Sequence, residues 1–96
     1  MKPARAIDVK ILSLGAPERY AVRRMVMAAL NELQAGLPGL ELHVTEVDDS
    51  STIGKYASVL VLPTLVIDEK VVCSGQFPSK EAVAAWLRAA WESRGS

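Results

Sequence analysis

The sequence is poor in the side chains that bind metals or form disulfides. It has one cysteine, Cys73, and one histidine, His43, among its 96 residues. A single cysteine cannot form an intramolecular disulfide, and this usage fits a reducing compartment. One cysteine and one histidine also do not make a metal-ligand set. We therefore expect no bound metal and no other cofactor.

The chain also lacks an excess of charge and a long apolar run. Lys and Arg together number 11, as do Asp and Glu, so no overall positive field attracts a phosphate backbone. No apolar run approaches the roughly 20 residues of a membrane-spanning helix. The N-terminal segment carries Asp8 and Lys10 within its apolar part, unlike a signal peptide. We expect a cytoplasmic protein that binds neither nucleic acid nor a membrane.

The sequence does have enough hydrophobic residues for one folded core. Half of its residues are hydrophobic, well above the level typical of disordered chains. A chain of this length supports one core but not two. We expect a single domain over residues 1–96, with frayed ends at about residues 1–5 and 93–96.

The densest apolar run, Val59–Gln76, predicts the most distinctive part of the fold. It contains a strand over Thr64–Ile67, a tight turn at Asp68–Lys70 and a strand over Val71–Ser74. Because the turn is short, these two strands should form an antiparallel hairpin.

The other elements follow from hydrophobic periodicity and from the residues that begin and end helices. The predicted strands are Ala6–Leu14 and Leu40–Val47. The predicted helices begin near Pro17, Ser51 and Ser79 and end near Ala35, Ala57 and Glu92. The order is β-α-β-α-β-β-α, which predicts an α/β fold: a mixed four-stranded sheet with helices on both faces.

The sequence also makes local predictions for the first two strands and for the end of the first helix. Leu12 and Leu14 interrupt the polar face of the first strand, which predicts a central strand buried on both sides. The second strand alternates cleanly and carries His43 on its polar face, as expected for an outer strand. Gly36 follows the first helix and is predicted to be its left-handed cap.

The element order and the residues around Pro63 resemble the thioredoxin fold. The resemblance is greatest to small, glutaredoxin-sized thioredoxin-like proteins often called redox-active disulfide proteins. It lies in the segments Leu62–Asp68, Lys70–Gly75 and Phe77–Ser79 and covers nearly the whole chain. It implies that Pro63 follows a cis peptide bond and exposes the backbone of Leu62. The implied binding groove for an extended peptide includes Leu62, Pro63 and Thr64.

The chain departs from this family where the family carries its chemistry. Family members have a Cys-Pro-x-Cys motif at the first strand–helix junction, where the helix N-terminus lowers the thiol pKa. The matching segment here is Ala16-Pro17-Glu18-Arg19. Ala16 and Arg19 occupy both sulfur positions, so this alignment excludes dithiol chemistry by this chain alone.

The leading hypothesis is therefore a redox-inactive thioredoxin-like domain that acts as a binding or regulatory module for a protein or peptide. Its binding site would lie between Ala16–Arg19 and Leu62–Thr64. A first alternative is a thiol-redox role for Cys73 through a mixed disulfide or glutathionylation, although a buried packing role is favoured for a lone cysteine. A second alternative is a KaiB-like assembly regulator.

Several other side chains admit both a functional and a structural interpretation. Arg19, Arg23 and Arg24 could bind an anion or acidic partner, but a solvated helix face is the usual role of such residues. Asp48 and Asp49 are better explained as turn and helix-capping residues than as a metal site. Some aromatic and methionine residues predict either a homodimer surface or burial in a small core: Tyr20, Met25, Met27, Trp86 and Trp91.

Overall fold

A computed structural model describes residues 6–55 and 63–95 of the chain. The strands are β1 Ala6–Leu12, β2 Glu41–Val47, β3 Thr64–Ile67 and β4 Lys70–Ser74. The helices are α1 Ala16–Gln34, α2 Ser50–Ile53 and α3 Lys80–Gly95. The sheet order is β2-β1-β3-β4, with β1 parallel to β2 and the other pairs antiparallel. This confirms the predicted α/β fold with a mixed four-stranded sheet.

Two apolar clusters lie on opposite faces of the sheet. The larger cluster joins β1 and β3 side chains to α1 and α3. The smaller cluster contains Leu12, Val47, Ile53 and Val66, so that α2 packs on the other face through Ile53. The alternation of side chains along each strand separates the two clusters. Helices therefore cover both faces, as the sequence predicted.

The end of β1 differs from the predicted strand. Leu12 is fully buried, in agreement with a central strand between β2 and β3. Leu14 is 61% exposed, so the expectation that it would be buried is wrong. The strand ends at Leu12, and a bend at Leu14 carries the chain out of the sheet toward α1. Strand alternation therefore no longer decides which way the Leu14 side chain points.

The end of α1 also differs from its prediction. Ala35 keeps right-handed helical angles, φ −61° and ψ −35°, and Gly36 does not have a positive φ. The Gly36 and Leu37 amides both donate to the Leu33 carbonyl, at 3.1 and 2.8 Å. The prediction of a left-handed glycine cap is thus wrong. The helical turn continues until Pro38, which has no N–H to donate and disfavours helical angles at the residue before it.

Asp49 holds the start of the short helix α2. Its carboxylate accepts hydrogen bonds from the Thr52 amide at 2.7 Å, the Thr52 hydroxyl at 2.6 Å and the Ser51 hydroxyl at 2.9 Å. These hydrogen bonds, those from Thr52 first, hold the pKa of Asp49 below its ordinary value. The predicted capping role is confirmed. The helix ends at Ile53, earlier than predicted, and Gly54 follows in a turn.

The last helix begins after Ser79. Ser79 caps it through a hydrogen bond from the Ala82 amide to the Ser79 hydroxyl, at 3.1 Å. It then extends to Gly95, beyond the predicted end at Glu92. Within residues 6–55 and 63–95, no helix has both the length and the apolar character needed to span a bilayer.

Candidate functional site

The junction between β1 and α1 carries the family's motif positions. Gly15 precedes the helix in an extended conformation, φ −95° and ψ 129°, and its amide donates to the Ser13 hydroxyl at 3.3 Å. Ala16 and Pro17 occupy the first helical positions, and both are exposed. The first sulfur position is thus a methyl group at the surface, next to a proline that suits a helix start.

The carboxylate of Glu18 folds back over the start of α1. A Cβ atom at Gly15 would overlap the Glu18 Oε1 atom, so the absence of a side chain at Gly15 leaves room for this carboxylate. A negative charge in the first turn is also favoured by the helix dipole. The helix terminus that would stabilise a thiolate in the family therefore lies beside an acid of the chain itself.

Arg19, at the second sulfur position, points inward rather than into solvent. Its side chain is only 14% exposed. The guanidinium donates to the Ser13 carbonyl at 2.9 Å and to the Glu46 carboxylate at 3.3 Å. The Asp48 carboxylate lies 3.9 Å from the Arg19 Nη2 atom. Arg19 therefore ties the start of α1 to the ends of β1 and β2.

The neighbouring arginines are also engaged in contacts. Arg23 donates to the second Glu46 carboxylate oxygen at 3.2 Å. The guanidinium carbon of Arg24 lies 6.0 Å from the centre of the Tyr20 ring. Because Glu46 binds both Arg19 and Arg23, the positive charge of these two arginines is partly neutralised within the molecule. Arg24 is exposed on the helix surface, as the sequence suggested. Arg19 was also expected to be solvated, and that expectation is wrong because its side chain is mostly buried.

Strand pairing brings Pro63 toward the same junction. Thr64 pairs with Leu12 of β1 and with Ser74 of β4. Extending this antiparallel register by one residue aligns Pro63 with Ser13, where β1 leads into α1. The Pro63 carbonyl accepts a hydrogen bond from the Gly75 amide at 2.9 Å. The sequence-predicted halves of the groove are therefore at the same edge of the sheet.

The predicted groove residues contribute unequally to this edge. Pro63 is buried, and Thr64 is 1% exposed with its hydroxyl 3.2 Å from that of Ser74. Thr64 therefore positions the edge rather than offering a contact surface. Leu62 and the isomer of the Leu62–Pro63 bond lie outside the described residues.

Two exposed apolar side chains lie close in sequence to the residues of this edge, and the sequence predicted a contact role for neither. Leu14 is 61% exposed in the turn that leads to α1. Phe77 is 58% exposed and follows Gly75, whose amide binds Pro63, by two residues. We call Leu14, Phe77 and the exposed start of α1 at Ala16–Pro17 the apolar edge. The Phe77-Pro78 pair was the sequence feature that could have indicated the exposure of Phe77. Leu14 gave no such indication, because it matched a buried position of the predicted first strand.

Cys73 lies in β4, and its side chain faces the larger core. It is half-buried, packs against the cluster beneath α1 and α3, and donates its thiol hydrogen to the Gln76 carbonyl at 3.4 Å. Partial burial raises the pKa of the thiol, and the hydrogen bond to Gln76 opposes this only in part. A raised pKa lowers the thiolate fraction at neutral pH, the opposite of what a nucleophilic cysteine needs.

The remaining candidates form no metal site among the residues that the structure describes. His43 is exposed on β2, an outer strand as predicted. In the part of the chain that the structure describes, no group of three or more His, Cys, Asp or Glu side chains is placed to hold a metal ion.

Comparison with known families assigns the fold independently. The family model described as a thioredoxin domain matches residues 3–88, which is most of the chain. No curated protein matches the sequence. The matched range contains the junction at Ala16–Arg19, the Pro63 segment and Cys73, the chain's one cysteine.

Proposed function

The chain belongs to the thioredoxin domain family, and we propose that it binds a protein or peptide segment at the apolar edge without dithiol chemistry. The observation that carries the proposal is the exposure of Leu14 at the junction where the family would place its cysteines. A large apolar side chain in this position is available for a partner and is not used by the core. Residues of this kind mark interaction surfaces when they lie close together.

The junction beside Leu14 is held by several hydrogen bonds, which favours binding. Arg19 bridges Ser13 and Glu46, and the Gly15 amide is hydrogen-bonded to the Ser13 hydroxyl. A surface held by such contacts loses little conformational freedom when a partner docks on it. Arg19 thus supports a stable recognition surface in the position where a resolving cysteine would need mobility and access.

The absence of dithiol chemistry follows from composition. Reduction of a disulfide by the family's route needs two thiols, one to attack and one to resolve the mixed disulfide. The chain has a single cysteine, which lies in β4 rather than at the junction. In an insulin-reduction assay with dithiothreitol, we expect the same rate with and without the protein. Acceleration comparable to that of a thioredoxin control would contradict the proposal.

Binding is tested by selecting peptides from a random phage-displayed library on the immobilised protein. Enriched peptides should bind the wild type and lose affinity for Leu14→Ser, because the edge loses its apolar contact. The matched control is Val71→Ser, since Val71 is also exposed but lies toward the turn end of β4. Peptides that bind Leu14→Ser and the wild type equally, or a selection that enriches nothing, would contradict the proposal.

A further inference from the structure

The outer face of α1 carries a continuous stripe that the core does not use. Its members recur at three- and four-residue spacing and so lie on one side of a helix with 3.6 residues per turn. We call them the α1 stripe: Tyr20, Arg24, Met27, Ala28 and Asn31. Together with Arg23 and Met25, they line a shallow groove of about 430 Å³. The buried α1 residues lie on the opposite side of the helix: Val22, Val26, Ala29 and Leu33.

The structure separates the residues that formed the predicted homodimer surface. Trp86 and Trp91 pack against the larger core, and Met25 packs against it while also lining the groove. Tyr20 is 63% exposed, and Met27 is half-buried at the middle of the stripe. Apolar surface therefore remains on α1 after the core has been assembled.

Charge is distributed unevenly along this face. Arg24 lies in the N-terminal half of α1 and is exposed. Asn31 and Glu32 lie about two turns further on and are also exposed. The Glu32 side chain is 56% exposed and forms a surface ion pair with Lys80 at 2.7 Å. Such an exposed pair contributes little energy, so Glu32 remains available for a second cation.

We propose that the α1 stripe is a self-association surface, where α1 packs antiparallel against α1 of a second copy of this chain. The two-fold axis would pass between Met27 and Ala28. Arg24 of each copy then lies opposite Asn31 and Glu32 of the other. Parallel packing would instead bring Arg24 next to Arg24, which like-charge repulsion disfavours.

The sizes of the central residues fit this arrangement. Ala28 near the axis lets the two helices approach closely, and Met27 is flexible enough to fill the remaining space. Tyr20 would pack beyond this centre toward the C-terminal part of the opposite helix. A single pair of helices buries less than the roughly 1,200 Å² at the low end of stable interfaces, so we expect a weak, concentration-dependent dimer.

Sedimentation equilibrium on the full chain, over a concentration series reaching the millimolar range, tests the proposal. The wild type should shift from monomer to dimer as concentration rises. Arg24→Glu should raise the dissociation constant on the order of tenfold, because it places two carboxylates opposite each other in both symmetric contacts. The double variant Arg24→Glu/Glu32→Arg should recover most of the loss, since it exchanges the charges.

The control is Arg88→Glu, which reverses an exposed charge on α3 and should leave the dissociation constant unchanged. Circular dichroism of each variant establishes that the helices remain folded. A wild type that stays monomeric throughout the series overturns the proposal. A dimer that Arg24→Glu does not weaken, that the double variant does not restore, or that Arg88→Glu weakens equally would overturn the assigned surface.

Discussion

Arg19 occupies the position of the family's second cysteine and gives that position a structural role in this chain. Its guanidinium is directed inward to the Ser13 carbonyl and to Glu46, and little of it remains exposed. A resolving cysteine has to leave its resting contact to attack a mixed disulfide, whereas Arg19 is fixed by contacts with two strands. The side chain therefore stabilises the junction, and we expect its removal to be felt in folding.

Replacement of Arg19 by alanine should lower the free energy of unfolding by about 1–3 kcal/mol, because a charged donor is lost from the Ser13 carbonyl and from Glu46. Urea unfolding followed by circular dichroism measures the change. The matched control, Arg88→Ala on exposed α3, should change stability by less than about 0.5 kcal/mol. Equal effects of the two variants would show that the Arg19 contacts do not stabilise the junction.

Cys73 should behave as a packing residue. Because burial raises the pKa of its thiol, its thiolate fraction at neutral pH is lower in the folded chain than in the unfolded one. Reaction with a thiol reagent at pH 7 should therefore be slow in buffer and fast in denaturing urea. The pH at which labelling accelerates should also fall on unfolding. Rapid labelling of the folded protein would instead favour the thiol-redox alternative.

Sequence alone could reach some of these side chains but not others. Leu12 and Leu14 are both leucines two residues apart, yet one is buried and the other exposed. Alternation predicts both correctly only if the end of the strand is known, and that end is set by the bend before α1. Similarly, Arg19 and Glu46 are separated by 27 residues, so their contact depends on the parallel pairing of β1 and β2.

Among the elements, the hairpin β3–β4 was the most accurately predicted and contains an unusual turn. Asp68 and Glu69 both have positive φ, 49° and 68°, a conformation that favours glycine or asparagine at these positions. Asp68 accepts a hydrogen bond from the Asp8 amide at 3.0 Å and donates its own amide to the Asp8 carbonyl at 2.8 Å. These contacts hold the turn against β1 despite its backbone strain.

Glu69→Gly should raise the free energy of unfolding by about 1 kcal/mol, because glycine adopts the positive φ without strain. The variant also removes the exposed ion pair between Glu69 and Lys10, at 2.6 Å, which contributes little. Glu69→Gln is the control, since it removes the charge but keeps the strained backbone, and it should not stabilise. Thermal unfolding of both variants measures the change in stability. Equal stabilisation by Glu69→Gln and Glu69→Gly would contradict the explanation by backbone strain.

The boundaries of the helices were harder to predict than their existence. Gly36 was expected to end α1 through a left-handed conformation, but the helical turn continues to Pro38. Either residue can end a helix, and the sequence does not show which acts first. The capping by Asp49 and Ser79 was predictable because both contacts are made within three residues along the chain.

For the whole molecule, the order of elements was sufficient to predict the pairings β1–β2 and β3–β4, whereas the pairing of β1 with β3 was not predicted. A long helix between β1 and β2 requires a parallel pair, and a short turn between β3 and β4 requires an antiparallel one. This topology brings the junction at Ala16 and the Pro63 segment to one edge although they are distant in sequence. The apolar edge itself was not predicted, because it depends on which of the leucines the folded chain leaves exposed and on whether the single phenylalanine, Phe77, is buried.

The central claim is that this thioredoxin-family domain recognises a partner through the apolar edge. The most direct test is nuclear magnetic resonance mapping of the ¹⁵N-labelled protein titrated with a library-selected peptide. The largest amide shifts should fall at Leu14–Arg19 and Gly75–Phe77, and they should be absent in Leu14→Ser. Shifts confined to the α1 stripe or to the turn at Asp68–Glu69 would contradict the claim.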